Sequence, residues 1–147
     1  FLEGLPKLGL IACVSVSYDG VDVPWCRARG LEVTHAHGLN AEDVADHAIG
    51  LMIAGWRNIV VGDAAVRSGA WAQGERMGAR PGLRGRKLGV MGLGSIGEAV
   101  AVRAEAFGMD VAWWGPREKP DARWPRAETL LKLAADCDVL VVACRAD

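Results

Sequence analysis

The segment Gly92-Leu93-Gly94-Ser95-Ile96-Gly97 constrains this chain more than any other. It directly follows the apolar run Leu88 to Met91 and opens a stretch, Ile96 to Phe107, that suits a helix closed by Gly108. A second apolar run, Met109 to Trp114, comes next. Glycines spaced GxGxxG between a strand and a helix have separate tasks. The first permits a tight turn, the second lets a pyrophosphate approach the backbone, and the third lets the helix pack close to the strand. The unpaired N–H groups and dipole at such a helix start favour an anion by roughly 0.3–1 kcal/mol per interaction. Gly92, Gly94, Ser95, Ile96 and Gly97 are therefore the candidate dinucleotide-binding residues. A merely structural turn is the alternative in a chain with 19 glycines, but the flanking elements stand at βαβ distances.

The alternation continues with a second helix over Arg126 to Ala135 and a third strand over Val139 to Ala143, which predicts a parallel sheet. Nearer the start, Leu8 to Val16 reads as a strand followed by the turn-rich Ser17 to Gly20. Pro24 opens a short helix toward Arg29, Gly30 ends it, and Leu31 to Thr34 is another short strand. Between these halves, Asn40 is a good N-cap, with Asp43 three residues on. Val44, His47, Ala48, Leu51, Met52, Gly55, Trp56, Ile59 and Val60 then recur at spacings of three and four, predicting one long helix, 41–67, that packs on another subunit or bridges domains. Ser68 to Arg86 is rich in glycine and arginine without periodicity. It reads as an arm that Trp71 and Met77 pin to a surface.

Composition narrows the partners. The 147 residues are 51% apolar and 24% charged with a net charge of −1, within the range of one soluble globular domain. Near-neutrality argues against nucleic acid or an anionic membrane surface as the main partner. The longest uncharged stretch, Leu8 to Tyr18, falls short of the roughly 18 residues a bilayer span needs. Cys13, Cys26, Cys137 and Cys144 lack CxxC spacing and read as reduced, buried thiols of a cytoplasmic protein, with no metal expected. Some of the six tryptophans are expected in an interface. The chain begins at Phe1 and stops at Asp147 straight after an apolar segment, and is expected to be an internal piece of a longer protein.

The choice of dinucleotide turns on the end of the second strand. NAD sites place a carboxylate there to bond the adenosine ribose, and ligands bind at the carboxyl ends of parallel strands. Asp110 stands at the start of that strand, the wrong end. The tip reads Trp114-Gly115-Pro116-Arg117, followed by Lys119 and Arg123. Without a carboxylate, a 2′-phosphate meets no repulsion, a term of order 4 kcal/mol per unit charge at 4 Å and an effective dielectric near 20. Arg117 can add a charge-assisted hydrogen bond of roughly 1.5–3 kcal/mol. NADP(H) is the expected cofactor, with NAD(H) possible as well, and Gly115, Pro116 and Arg117 join the candidate site. The alternative is that Arg117, Lys119 and Arg123 form only a solvated surface.

With LGLIACVSVSYDGVDV near the start, GLEVTHAHGLNAEDVADHAIGLMIAGWRN in the middle, LRGRKLGVMGLGSIGEAVAVRAEAFGMDVAWW after the arm and CDVLVVAC at the close, the chain resembles the D-isomer-specific 2-hydroxyacid dehydrogenases. It is most similar to their glyoxylate/hydroxypyruvate reductase branch. The resemblance implies an α/β fold: residues 1–36 as the end of a flavodoxin-like substrate domain, and 37–147 as the N-terminal part of a Rossmann-type, parallel-sheet dinucleotide-binding domain. It implies that Ser15, Val16 and Ser17 present backbone amides to the substrate carboxylate, with serines here where the family often has glycines. Val44 would lie near the nicotinamide, and Cys144 and Arg145 would border the cofactor's ribose, although Cys144 also reads as a plain buried thiol.

The same resemblance puts Trp56 and Trp71 at a homodimer interface built from the long helix and the arm. The family's catalytic arginine, glutamate and histidine would lie beyond residue 147, so no catalytic residue is assigned here. His35, His37 and His47 read as structural, and His37 stands where the family often has proline. The implied activity is NADPH-dependent reduction of a small 2-keto acid to a D-2-hydroxy acid, with this segment inactive alone. The rival is a dinucleotide-sensing, non-catalytic dimeric interaction protein of the same fold.

Overall fold

Residues 2–73 and 81–144 are described by a computed structural model, which divides into two units, Phe1–Asn40 and Ala41–Asp147. Met77 and Arg145 lie outside the described residues.

In the first unit, β1 (Leu10–Cys13) and β2 (Glu32–His35) pair in parallel, from Leu10 opposite Glu32 to Cys13 opposite His35. The predicted strand over Leu8 to Val16 is cut to four residues because β2 offers only four partners. The crossover carries helix α1 (Val23–Ala28), started by the Asp22 carboxylate, which accepts from the Trp25 amide at 2.9 Å. At its end Gly30 takes φ +70°, as the C-terminal turn requires, and the Leu31 amide returns to the Cys26 carbonyl.

The second unit begins with α2 (Ala41–Trp56) and α3 (Ile59–Ser68), where one long helix is expected from sequence. The chain bends by 58° between them. Asn58 sits at the break in the left-handed conformation, φ 53°, which asparagine tolerates better than other residues with a Cβ. The buried side of α2 is Ala41, Ala45, Ile49 and Met52, rotated from the predicted stripe, and Leu51 is 61% exposed. Trp56 is half-buried and donates its indole N–H to the Pro81 carbonyl at 2.8 Å. Trp56 therefore holds the arm, whereas Trp71 is half-exposed in a 3-10 turn, Ala70–Gln73. No single helix among the described residues is long and apolar enough to cross a membrane.

β3 (Lys87–Met91), β4 (Asp110–Trp114) and β5 (Val139–Val142) form a parallel sheet in the order β4-β3-β5. Successive strand residues face opposite ways. On one face Val90 lies against Gly97 in α4 (Ser95–Ala106). On the other, Gly89 leaves room for Leu133 and Cys137 of the α5 segment (Leu130–Asp136 and its cap). Helix α2 packs on the outside of α4, where Arg103 bonds both Glu42 (2.7 Å) and Asp46 (2.6 Å). Those two carboxylates, Glu42 first, raise the Arg103 pKa above its ordinary value. The core is filled by Leu88, Val90, Val100, Ala101, Ala104 and Trp113, each almost fully buried.

The predicted helix over Arg126 to Ala135 starts later. Arg126 makes an isolated parallel bridge to Trp113, the Ala127 amide bonds the Trp113 carbonyl, and Thr129 caps α5 by accepting from the Lys132 amide. Of the cysteines, all free, Cys26 is buried, Cys13 and Cys137 are half-buried, and Cys144 is exposed, so burial holds fully for one of the four. Trp113 is buried inside the fold, its indole N–H donated to the Trp124 carbonyl at 3.0 Å.

Asp138 ties the amino ends of β3 and β5 together. Its carboxylate accepts the Lys87 amide at 2.8 Å and lies 3.5 Å from the Arg86 guanidinium. The backbone hydrogen bond foremost, and then Arg86, hold its pKa below the ordinary carboxylate value. A depressed folded pKa means that the stabilisation is complete above the unfolded pKa and is lost as pH falls through the folded one. Asp138→Asn is therefore expected to flatten the acid limb of stability against pH, read as urea midpoints. An acid limb as steep as that of the parent chain would contradict this.

Candidate functional site

A sheet ordered β4-β3-β5 reverses its winding at β3, since the chain leaves β3 for one side and later returns on the other. Ligands of open α/β sheets bind in the crevice outside the carboxyl ends of the strands at such a switch point. The glycine segment occupies that position.

Each of its three glycines meets a different constraint. Gly92 takes φ +91°, and a Cβ there would stand 2.9 Å from the Cys144 amide nitrogen and 3.0 Å from the Ala143 carbonyl. The loops after β3 and β5 are thus in contact, fastened by the Ala143 amide to the Met91 carbonyl at 2.8 Å, while the Gly92 amide ties the glycine turn to the end of β4 through the Trp114 carbonyl, also at 2.8 Å. At Gly97 a Cβ would collide with the Gly92 carbonyl oxygen and press on Val90. At Gly94, with φ −90° and ψ −167°, a Cβ would meet nothing within 4 Å.

Gly94 is the N-cap of α4 and has no side chain to bond the exposed amides. The Glu98 amide, bonded to the Gly94 carbonyl at 2.8 Å, starts the helical ladder. The amides ahead of it are free to receive an anion. An open space against glycine backbone at a helix start is what a pyrophosphate needs, so Gly92, Gly94, Ser95, Ile96 and Gly97 fit a dinucleotide.

The tip of β4 carries the other candidate residues. Asp110 lies at the amino end of β4, opposite Lys87, as its place in the sequence requires. Gly115 is buried with its carbonyl accepting from Arg126 at 2.8 Å, whereas Pro116 and Arg117 are exposed. Of the three nearby cations two are paired. Arg123 pairs with Glu105 at 2.8 Å, and Lys119 pairs with Glu98 at 2.9 Å and also reaches the Leu93 carbonyl. Arg117 has no ion-pair partner among the described residues. Sequence alone puts Arg126 at the head of a helix and gives no signal of its bond to Gly115.

Val44 is half-buried on α2, and Cys144 borders Gly92 through its backbone. Ser15, Val16 and Ser17 belong to the first unit. Their carbonyls are all engaged, accepting from the Ala36 amide (3.1 Å), His35 Nδ1 (2.9 Å) and the Ser15 hydroxyl respectively. The loop's hydrogen-bond acceptors are thus turned into its own fold. His35 packs on Tyr18 with its ring tilted and the centroids 4.8 Å apart.

Residues 49–147 match the family described as D-isomer specific 2-hydroxyacid dehydrogenase, NAD binding domain. Over 143 residues the chain is 40% identical to glyoxylate/hydroxypyruvate reductase A of Arabidopsis thaliana, covering 97% of this chain and 45% of that one. It is 41% identical over 143 residues to a glyoxylate reductase of Thermococcus litoralis, covering 89% of this chain and 43% of the other. Among solved structures, an NADPH-dependent glyoxylate/hydroxypyruvate reductase of Sinorhizobium meliloti, in complex with NADP and malonate, superposes with a TM-score of 0.83. It is 36% identical, over 97% of this chain and 45% of that one. The chain therefore spans less than half the length of these relatives. A glycine cradle at the switch point of a parallel sheet, and a family match over that same unit, lead to one conclusion: the chain belongs to the D-isomer specific 2-hydroxyacid dehydrogenases, and its second unit is their dinucleotide-binding domain.

Proposed function

We propose that the complete polypeptide carrying this chain reduces a small 2-keto acid of the glyoxylate or hydroxypyruvate type to the D-2-hydroxy acid, with NADP(H) preferred over NAD(H). The observation that carries the cofactor preference is the exposed Arg117 just past β4, which has no ion-pair partner among the described residues, while the neighbouring Glu118 carboxylate lies 3.9 Å from the Arg126 guanidinium. Gly92, Gly94, Ser95, Ile96 and Gly97 would hold the pyrophosphate through backbone amides. Gly115, Pro116 and Arg117 would receive the adenosine ribose and its phosphate, and the loop at Cys144 and Arg145 would border the other ribose. When bound, the cofactor supplies the hydride. In the first unit, Ser15, Val16 and Ser17 would offer amides to the substrate carboxylate, and Val44 would face the nicotinamide. The named activities of relatives that are 40% and 41% identical support the substrate class.

A homodimer formed through α2, α3 and the arm belongs to the same reading. It is supported by the exposed Val60 (71%), Val61 (59%) and Val66 (63%) on α3, an apolar surface of the kind that marks an interface. The four free thiols support a cytoplasmic location.

The test uses the complete polypeptide with glyoxylate, followed by the loss of absorbance of the reduced nicotinamide. The parent is expected to turn over with a lower KM for NADPH than for NADH. Arg117→Ala is expected to raise KM for NADPH about 10- to 100-fold, the loss of one charge-assisted hydrogen bond, and to leave KM for NADH nearly unchanged. Equal effects on the two cofactors would overturn the role given to Arg117. No turnover with several 2-keto acids would favour the non-catalytic alternative.

A further inference from the structure

The five-residue turn from Gly115 to Lys119 is held at both ends by cations, Arg126 lying 3.9 Å from the turn's Glu118 carboxylate as well, while Arg117 in its middle has no ion-pair partner among the described residues. At one end the Arg126 guanidinium donates to the Gly115 carbonyl at 2.8 Å, with its centre 5.8 Å from the Trp113 ring centroid. Arg126 is itself fixed to β4 by its bridge to Trp113. At the other end Lys119 Nζ bonds the Leu93 carbonyl, inside the glycine segment, and the Glu98 carboxylate at 2.9 Å. Leu93 is 4% exposed, so the residue that accepts this half-buried bond is itself seated in the core. Arg117 stands between the two grips.

We infer that Lys119 is a positioning residue for cofactor choice: its bridge to Leu93 and Glu98 fixes the turn against the start of α4, so that Arg117 is held ready for a 2′-phosphate that Lys119 itself does not bind. A long arginine on an untethered turn would lose conformational freedom each time it met the phosphate. A tethered one has lost that freedom already, which is how preorganisation raises affinity. The inference rests on the NADP(H) reading of Arg117 and assigns the residues that make it work.

Charge gives the test its sign. If Lys119 were a direct phosphate ligand occupied by Glu98, removing the Glu98 charge would free it, and attraction of the phosphate would rise. If Lys119 positions the turn, removing Glu98 loosens one of its two anchors and selectivity falls.

The experiment measures dissociation constants of NADP+ and NAD+ by titration calorimetry on the complete polypeptide and reports their ratio. Lys119→Met is expected to cut the preference for NADP+ about tenfold, an effect of the size of one weakened charged hydrogen bond. Lys119→Arg, which keeps the cation, is expected to restore most of it. Glu98→Gln is expected to lower the preference in the same direction, by less, because the Leu93 anchor remains. A loss of general stability would weaken both dinucleotides alike and leave the ratio unmoved.

An unchanged ratio in Lys119→Met, or a raised preference in Glu98→Gln, would overturn the inference. If the parent prefers NADP+ and Arg117→Ala abolishes that preference while Lys119→Met keeps it, the positioning role alone falls. If the parent shows no preference, the reading of Arg117 falls and the positioning role falls with it.

Discussion

Gly94→Val is expected to abolish dinucleotide binding while leaving the fold standing. The backbone at Gly94 is extended, φ −90° and ψ −167°, which a valine adopts without strain. No protein atom lies within 4 Å of the place its Cβ would take. The loss of glycine from an N-cap position costs about 1 kcal/mol or less. The same side chain would stand where the pyrophosphate must approach the amides of Ser95 and Ile96. Losing two charge-assisted hydrogen bonds, at roughly 1.5–3 kcal/mol each, weakens binding more than about 100-fold. The thermal midpoint, compared without cofactor, should move little. A variant that binds as tightly as the parent would show that the anion does not pass over Gly94.

Gly97→Ala is expected to fail in the opposite way. Its methyl would be driven into the Gly92 carbonyl oxygen, a backbone atom of a turn already tied down by the Gly92 amide to Trp114 and the Ala143 amide to Met91. Overpacking of this kind costs about 1–3 kcal/mol, occasionally more. Here it would push α4 away from β3 and remove the packing around Val90, which is fully buried. The expected result is a lower urea midpoint without any cofactor present, with binding weakened as a consequence. Retention of the parent's midpoint would mean that the approach of α4 to the turn is looser than this structure has it. Two neighbouring glycines in one motif are thus expected to have separable roles, one clearing space for a ligand and one for a helix.

This separation explains why so much of the candidate site is legible in the sequence. Glycine spacing encodes backbone approach, and the strand before it and the helix after it are local, so β3, α4 and β4 fall within a residue or two of expectation. Asp110 could be assigned to the wrong end of its strand for the same reason. What was not legible depends on non-local partners. A stripe of apolar residues says that a face is apolar but not that this chain covers it, and Leu51, Ile59 and Val60 are at least half-exposed. The break at Asn58 needs one residue in a left-handed conformation, a choice that periodicity does not register.

Sheet order was hidden too. An alternation of strands and helices predicts parallel pairing, yet β5 joins β3 and not β4, whose other edge bonds the chain around Arg126. Arg126 becomes an anchor of the turn after β4 only through that bridge, which places it beside Gly115. Lys119 and Glu98 are 21 residues apart, and only the folded turn brings them together.

The central claim is that a pyridine dinucleotide is held through its pyrophosphate at the open backbone of Gly94. Titration calorimetry of NADP+ into the complete polypeptide and its Gly94→Val variant tests this most directly. The account predicts saturable binding to the parent and none detectable in a variant that remains folded. No binding of either NADP+ or NAD+ to the folded parent, or equal binding to both proteins, would contradict it.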